Sequence, residues 1–155
     1  SGTDTYPDGM IEIIKVVNGK IEKQEDAQLD IFNNKDFDGQ KIIKPGSNGS
    51  YEFGIRNISS ENVIYDISFL DEMTNPINMK YKLKIDNIYI RGDEKYIDIE
   101  DLNVKNVIVP ANSINLFTLE WSWEDDDVND TYVGSQEDEQ SYTLTLNIDA
   151  EVYKK

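Results

Sequence analysis

The 155-residue chain contains no cysteine and no histidine. Without cysteine there are no disulfides, no thiol nucleophile and no thiolate metal site. Without histidine the commonest general base and the usual zinc ligand are missing. A serine triad of the usual type and an HExxH metalloprotease are therefore excluded on inventory alone. No apolar run approaches the ~20 residues of a membrane helix, so no membrane span is expected. Positive charge is also scarce: 15 basic residues stand against 31 acidic ones, a formal net charge of −16. A field of that sign repels phosphate backbones and anionic lipid surfaces, so nucleic acid is not an expected partner. It suits cations, basic proteins or cationic wall components, and it also keeps a secreted protein soluble. Ser1-Gly2 reads as the remnant of a cleaved tag, so the start of the chain carries no information on export.

What the chain does have is alternation. Phe117, Leu119, Trp121 and Trp123 fall on one face of one run. Tyr142, Leu144, Leu146, Ile148, Ala150 and Val152 fall on one face of another, opposite Thr143, Thr145, Asn147, Asp149 and Glu151. A period of two predicts half-buried strands. The same pattern recurs with Tyr51, Phe53 and Ile55, with Val63, Tyr65, Ile67 and Phe69, and with Met79, Tyr81, Leu83 and Ile85. Met10 to Val17 is β-rich and ends at Asn18-Gly19, a hairpin signal. A break at Asp86-Asn87 precedes Ile88 and Ile90 and predicts a bulge or a turn. Gln40 to Lys44 and Lys105 to Val109 read as strands, each stopped by a proline turn (Pro45-Gly46 and Pro110-Ala111). Glu25 to Leu29 reads weakly as a helical turn, Asp71 to Pro76 as loop, and Asp93 to Asp101 as a connection with room for a short helix.

Eight or nine such strands predict an all-β chain: an antiparallel two-sheet sandwich, jelly-roll or Ig-like, with one or two short helices in its connections. Residues 1–9 are expected to be a loose N-terminus and 10–155 a single domain, a length that supports one hydrophobic core.

The turn and strand Lys44-Pro45-Gly46-Ser47 to Arg56-Asn57, the strand Tyr81-Lys82-Leu83, and the block from Leu119-Glu120-Trp121-Ser122-Trp123-Glu124 through Asp130-Thr131-Tyr132-Val133-Gly134 to Tyr142-Thr143-Leu144-Thr145-Leu146 and Ala150-Glu151-Val152 together resemble the TasA/camelysin-like secreted proteins of Gram-positive bacteria, the group with SipW-type signal peptides. The likeness spans roughly residues 40 to 153 and is most specific at Trp121 to Gly134. It implies a jelly-roll-like sandwich, export, and a place on the cell surface or in a biofilm-type extracellular matrix, with other copies or other matrix or cell-wall proteins as partners. Fibre formation in that group uses an N-terminal strand that completes the sheet of the next subunit. The camelysin-like members are described as metalloproteases, but a chain without histidine or a zinc motif carries over no catalytic residue.

Five further features have a functional and a plain reading. Asp125, Asp127, Asn129 and Thr131 alternate as in a calcium loop, with Asp130 beside them. The glycine position is Asp130 and the closing glutamate position is Gln136, so the loop is not an EF-hand. An irregular calcium site on Asp125, Asp127, Asn129 and Asp130, making the chain a calcium-dependent binding module, stands against a solvated acidic loop. Asp36 and Asp38 before Gly39 form a weaker oxygen cluster that also fits an ordinary turn. Arg91-Gly92-Asp93 spells an adhesion tripeptide and equally an ordinary turn. Ile11, Ile13, Ile14 and Val16 mark the strand that would be exchanged between subunits, against the plain reading of a strand paired in its own domain. Trp121 and Trp123 could form a sugar-binding pair on an exposed face, but are expected in the core with Phe117 and Tyr142. No carboxylate pair is assigned a catalytic role.

Overall fold

The computed structural model describes residues 9–32, 44–124 and 141–154. Ten strands run in the order β1 (Ile11–Val17), β2 (Lys20–Lys23), β3 (Gln28–Leu29), β4 (Asn48–Asn57), β5 (Val63–Met73), β6 (Met79–Ile85), β7 (Ile88–Arg91), β8 (Val104–Val109), β9 (Ile114–Trp123) and β10 (Tyr142–Val152). A short 3-10 helix at Ile99–Leu102 lies in the acidic connection before β8. The strands form a six-stranded sheet, β2-β1-β4-β9-β6-β7, and a four-stranded sheet, β3-β10-β5-β8. Every pairing is antiparallel. The chain is thus the all-β two-sheet sandwich that its alternation predicts. Among the described residues no helix is long and apolar enough to cross a membrane.

The period-two pattern decides which side of each strand is buried. Tyr51, Phe53 and Ile55 of β4, Tyr81 and Leu83 of β6, and Phe117, Leu119, Trp121 and Trp123 of β9 line the inner face of the larger sheet. Tyr65 and Ile67 of β5 and Leu144, Leu146 and Ile148 of β10 line the facing sheet. Phe53 stacks on Phe117 across the β4–β9 pair at 5.1 Å and meets Phe69 of the opposite sheet edge-on at 6.4 Å. Large rings facing one another from both sheets, packed among aliphatic residues, bury apolar area that drives closure of the sandwich.

The turns follow local backbone chemistry. Asp86 and Asn87, joining β6 to β7, both adopt positive φ (49° and 67°), as do Asn18 and Gly19 between β1 and β2 (51° and 77°). Two consecutive left-handed residues match the right-handed twist of a tight hairpin, and Asn, Asp and Gly tolerate them best. Pro110 to Ser113 carries the chain from β8 in the smaller sheet to β9 in the larger one.

Three local expectations are corrected. Glu25 to Leu29 forms bends and then strand β3, not a helical turn, because Leu29 pairs with Leu144 and Ala27 O accepts from Leu146 N. Tertiary pairing overrides a weak local pattern here. Strand β5 extends to Met73, beyond the loop expected from Asp71, because Tyr142 of β10 pairs with Met73. The described residues alone hold ten strands rather than eight or nine. Of the strand expected over Gln40 to Lys44, residues 40–43 lie outside the described residues.

Candidate functional site

Strand β1 lies between β2 and β4, paired on both sides within its own chain. Ile11 and Ile13 enter the core. Ile14 is fully buried on the opposite face, against Gly54, where a Cβ would come 3.0 Å from its Cδ1. Val16 is half-buried opposite Ile21 of β2. The four residues that mark a candidate exchange strand are therefore an integral part of this sheet, and the outermost strands are β2 and β7 in one sheet and β3 and β8 in the other.

Phe117, Trp121 and Trp123 are buried, and Tyr142 is half-buried against the same cluster. Trp121 Nε1 donates to Ile31 O at 2.9 Å, and its ring meets Phe32 edge-on at 5.0 Å. It thereby fastens the segment after β3 over one end of the sandwich. The Tyr142 hydroxyl donates to Asp71 Oδ2 at 2.8 Å and meets the Tyr81 hydroxyl in a close hydrogen bond. Burial is the first cause that pushes the Tyr65, Tyr81 and Tyr142 phenols well above their ordinary range, and it holds Tyr51 up at about 12. Polar atoms in this core thus serve as ties between strands.

Asp125, Asp127, Asn129 and Asp130, and likewise Asp36 and Asp38, lie outside the described residues. Among the described residues no three acidic side chains converge closely enough to hold a metal ion. Arg91 of the Arg-Gly-Asp tripeptide folds back on its own chain: Nε and Nη2 donate to Asn103 O at 3.0 and 2.8 Å. Gly92 takes φ +73°, which turns the chain out of β7.

The charged groups that sequence reasoning did not single out lie on the outer face of the larger sheet. Lys80, Lys82 and Lys84 alternate along β6 and face the same side. Lys80 Nζ pairs with Asp98 at 2.7 Å, and Lys84 Nζ pairs with Glu120 at 3.3 Å. Glu120 also accepts from the Tyr89 hydroxyl at 2.7 Å. Lys82 lies between them with no carboxylate within 4 Å among the described residues; its ammonium sits 4.8 Å from the Tyr96 ring centre and 5.5 Å from that of Tyr89. Further along the face, Glu12 accepts from Arg56 Nη2 at 2.7 Å, and that contact is the main reason its carboxyl titrates below the usual range. Three alternating lysines were legible in the sequence. The two tyrosines that meet the middle one come from β7 and from the loop after it, which no local pattern reveals.

The fold and these surfaces define the class: a two-sheet antiparallel β-sandwich with an aromatic core and its ionic groups on the outside. No family model matches the chain, and no curated protein shows significant similarity to it. Among solved structures the chain is similar to a GH31 alpha-xylosidase from Xanthomonas citri, with 8% identity and a TM-score of 0.35, over 92% of this chain. It spans 17% of that enzyme's length. A likeness of this degree says nothing about activity.

Proposed function

We propose that the domain is a non-enzymatic structural and interaction module of the TasA/camelysin-like kind, secreted to the cell surface or a biofilm-type extracellular matrix. The observation that carries this reading is how the polar side chains are used. Inside, Asn57, Asn115, Trp121 and Tyr142 each tie one strand or turn to another. Outside, several acids and bases of the larger sheet pair with one another, as Glu12 with Arg56 and Lys80 with Asp98. Chemistry on a substrate needs nucleophile, base and stabilising groups brought together about one point, whereas the buried polar side chains named here, among the described residues, serve as ties. A high acidic charge suits a protein that must stay dispersed outside the cell. The sheet edges at β7 and β8 offer backbone groups to another copy or to other matrix or cell-wall proteins.

The test is fractionation of the producing cells, with the protein detected by antibody in cytosol, wall, medium and matrix. Recovery in the wall, medium or matrix, with reduced matrix cohesion in a deletion strain, supports the reading. Confinement to the cytosol ends it.

A further inference from the structure

We propose that the groove on the outer face of the larger sheet, between β6 and the loop that follows β7, binds a neutral polysaccharide chain. This does not depend on where the protein resides. The groove, of about 630 Å³, has Lys80 and Lys82 on its floor and Tyr96, Lys95, Glu94 and Asp101 on its wall. It is a built feature. Gly92 at φ +73° turns the chain away from the sheet, and a side chain there would meet Lys95 O at 2.9 Å and the Lys82 stem at 3.1 Å. The chain returns at Ile97, which exchanges two 2.8 Å backbone hydrogen bonds with Tyr81. Residues 92–96 are thus pinned at both ends, and they hold Tyr96 over Lys82.

The chemistry of the groove selects the ligand class. Lys82 has three N–H donors held by two aromatic rings, and its neighbours Lys80 and Lys84 already have carboxylate partners. Among the described residues no carboxylate pairs with it, so it presents donors to a ligand's oxygens. Glu94 and Asp101, which pair with no basic side chain among the described residues, present acceptors, and the half-exposed Tyr96 ring presents an apolar platform. An anion would gain Lys82 but meet the field of Glu94, Asp98, Asp101 and Glu124 around it. A cation would gain those carboxylates but meet Lys80, Lys82 and Lys95. A neutral polyhydroxyl chain both accepts and donates and has apolar C–H faces that stack on a ring, so it satisfies all three components. The open groove suits a chain rather than an enclosed monosaccharide.

The test is native affinity electrophoresis of the protein in gels containing laminarin, soluble xylan, hydroxyethylcellulose or dextran, with alginate and heparin as anionic comparators. At least one neutral polymer should retard the protein. Because no net charge is neutralised, a rise in salt should leave that retardation nearly unchanged. Tyr96→Ala should weaken it about tenfold, the usual scale for truncating an aromatic anchor. Lys82→Met, which keeps the aliphatic stem, should also weaken it. Thermal unfolding of both variants checks the fold, and Lys82→Met stands as the probe should Tyr96→Ala not fold. The proposal is overturned if no neutral polymer retards the protein, if both variants are retarded like the parent, or if only alginate or heparin does so in a salt-sensitive way.

Discussion

Replacing Asn57 by alanine tests how the two sheets are held together at one end. Asn57 closes β4, is fully buried, and makes four side-chain hydrogen bonds around the turn to β5. Its Nδ2 donates to Glu61 O at 2.7 Å and to Val109 O, at the end of β8, at 3.0 Å. Its Oδ1 accepts from Ser59 N at 2.9 Å and from Ser59 Oγ at 2.7 Å. One amide therefore joins the larger sheet, the turn and the edge strand of the smaller sheet. Alanine removes all four bonds and leaves the buried Val109 carbonyl without this donor. At roughly 0.5–1.5 kcal/mol net per bond, with more for an orphaned buried group, the loss is about 3 kcal/mol. For a chain of this size that lowers Tm by roughly 6–12 °C. Urea unfolding followed by the emission of the buried Trp121 and Trp123 measures it directly, as a lower midpoint at unchanged slope. Asn57→Asp isolates the donor half: it keeps acceptors for Ser59 but turns a carboxylate toward two carbonyl oxygens. It should be at least as unstable as Asn57→Ala at neutral pH and recover in acid, where the protonated carboxyl donates again. A loss below about 1 kcal/mol for Asn57→Ala, the size of one ordinary hydrogen bond, or a parent-like Asn57→Asp at neutral pH, would refute the reasoning.

Three other outcomes are expected. Gly49→Ala should destabilise strongly, since its Cβ would lie 2.7 Å from Cζ2 of the buried Trp121, a ring held in place by its bond to Ile31 O; overpacking of this kind costs about 1–3 kcal/mol, read as a fall in the urea midpoint. Glu12, held below its ordinary value of 4.5 chiefly by its hydrogen bond to Arg56, adds stability above the unfolded value, and this is lost as pH falls through the folded one; the stability gap between the parent and Glu12→Gln should therefore close on acidification, and a gap that is flat with pH removes the ion pair from the account. In alkali, Tyr51, raised to about 12 by burial, and the higher Tyr65, Tyr81 and Tyr142 should stay protonated while exposed tyrosines ionise. Their raised values make stability complete below the unfolded value near 10 and erode it as pH rises beyond, so the phenolate absorbance of these four should appear together with unfolding.

The acidic charge and the absence of cysteine and histidine bound the chemistry through composition alone. Alternation also identified the inward faces of β4, β5, β6, β9 and β10, because successive side chains on a pleated strand point to opposite sides whatever the strand pairs with. Trp121 and Trp123 could be assigned to the core for that reason alone. Where the alternation is short or absent, the reading failed: β3 is two residues long and exists because β10 lies beside it. Its partner Leu144 is far away in sequence, and no local propensity encodes that distance.

The same division applies to the surfaces. The spacing of Lys80, Lys82 and Lys84 is a property of the sequence, and it places all three on one face of any strand. That Asp98 and Glu120 pair with the outer two, that Tyr96 closes on the middle one and that Tyr89 lies between it and Lys84 depend on which strands become neighbours and on how the loop after β7 turns. Likewise Ile11, Ile13 and Ile14 are recognisably a strand, but only the sheet order makes it an interior one flanked by β2 and β4. Residue type and period fix what a segment can bury; partner and register are settled by the long-range contacts that bring those buried faces together.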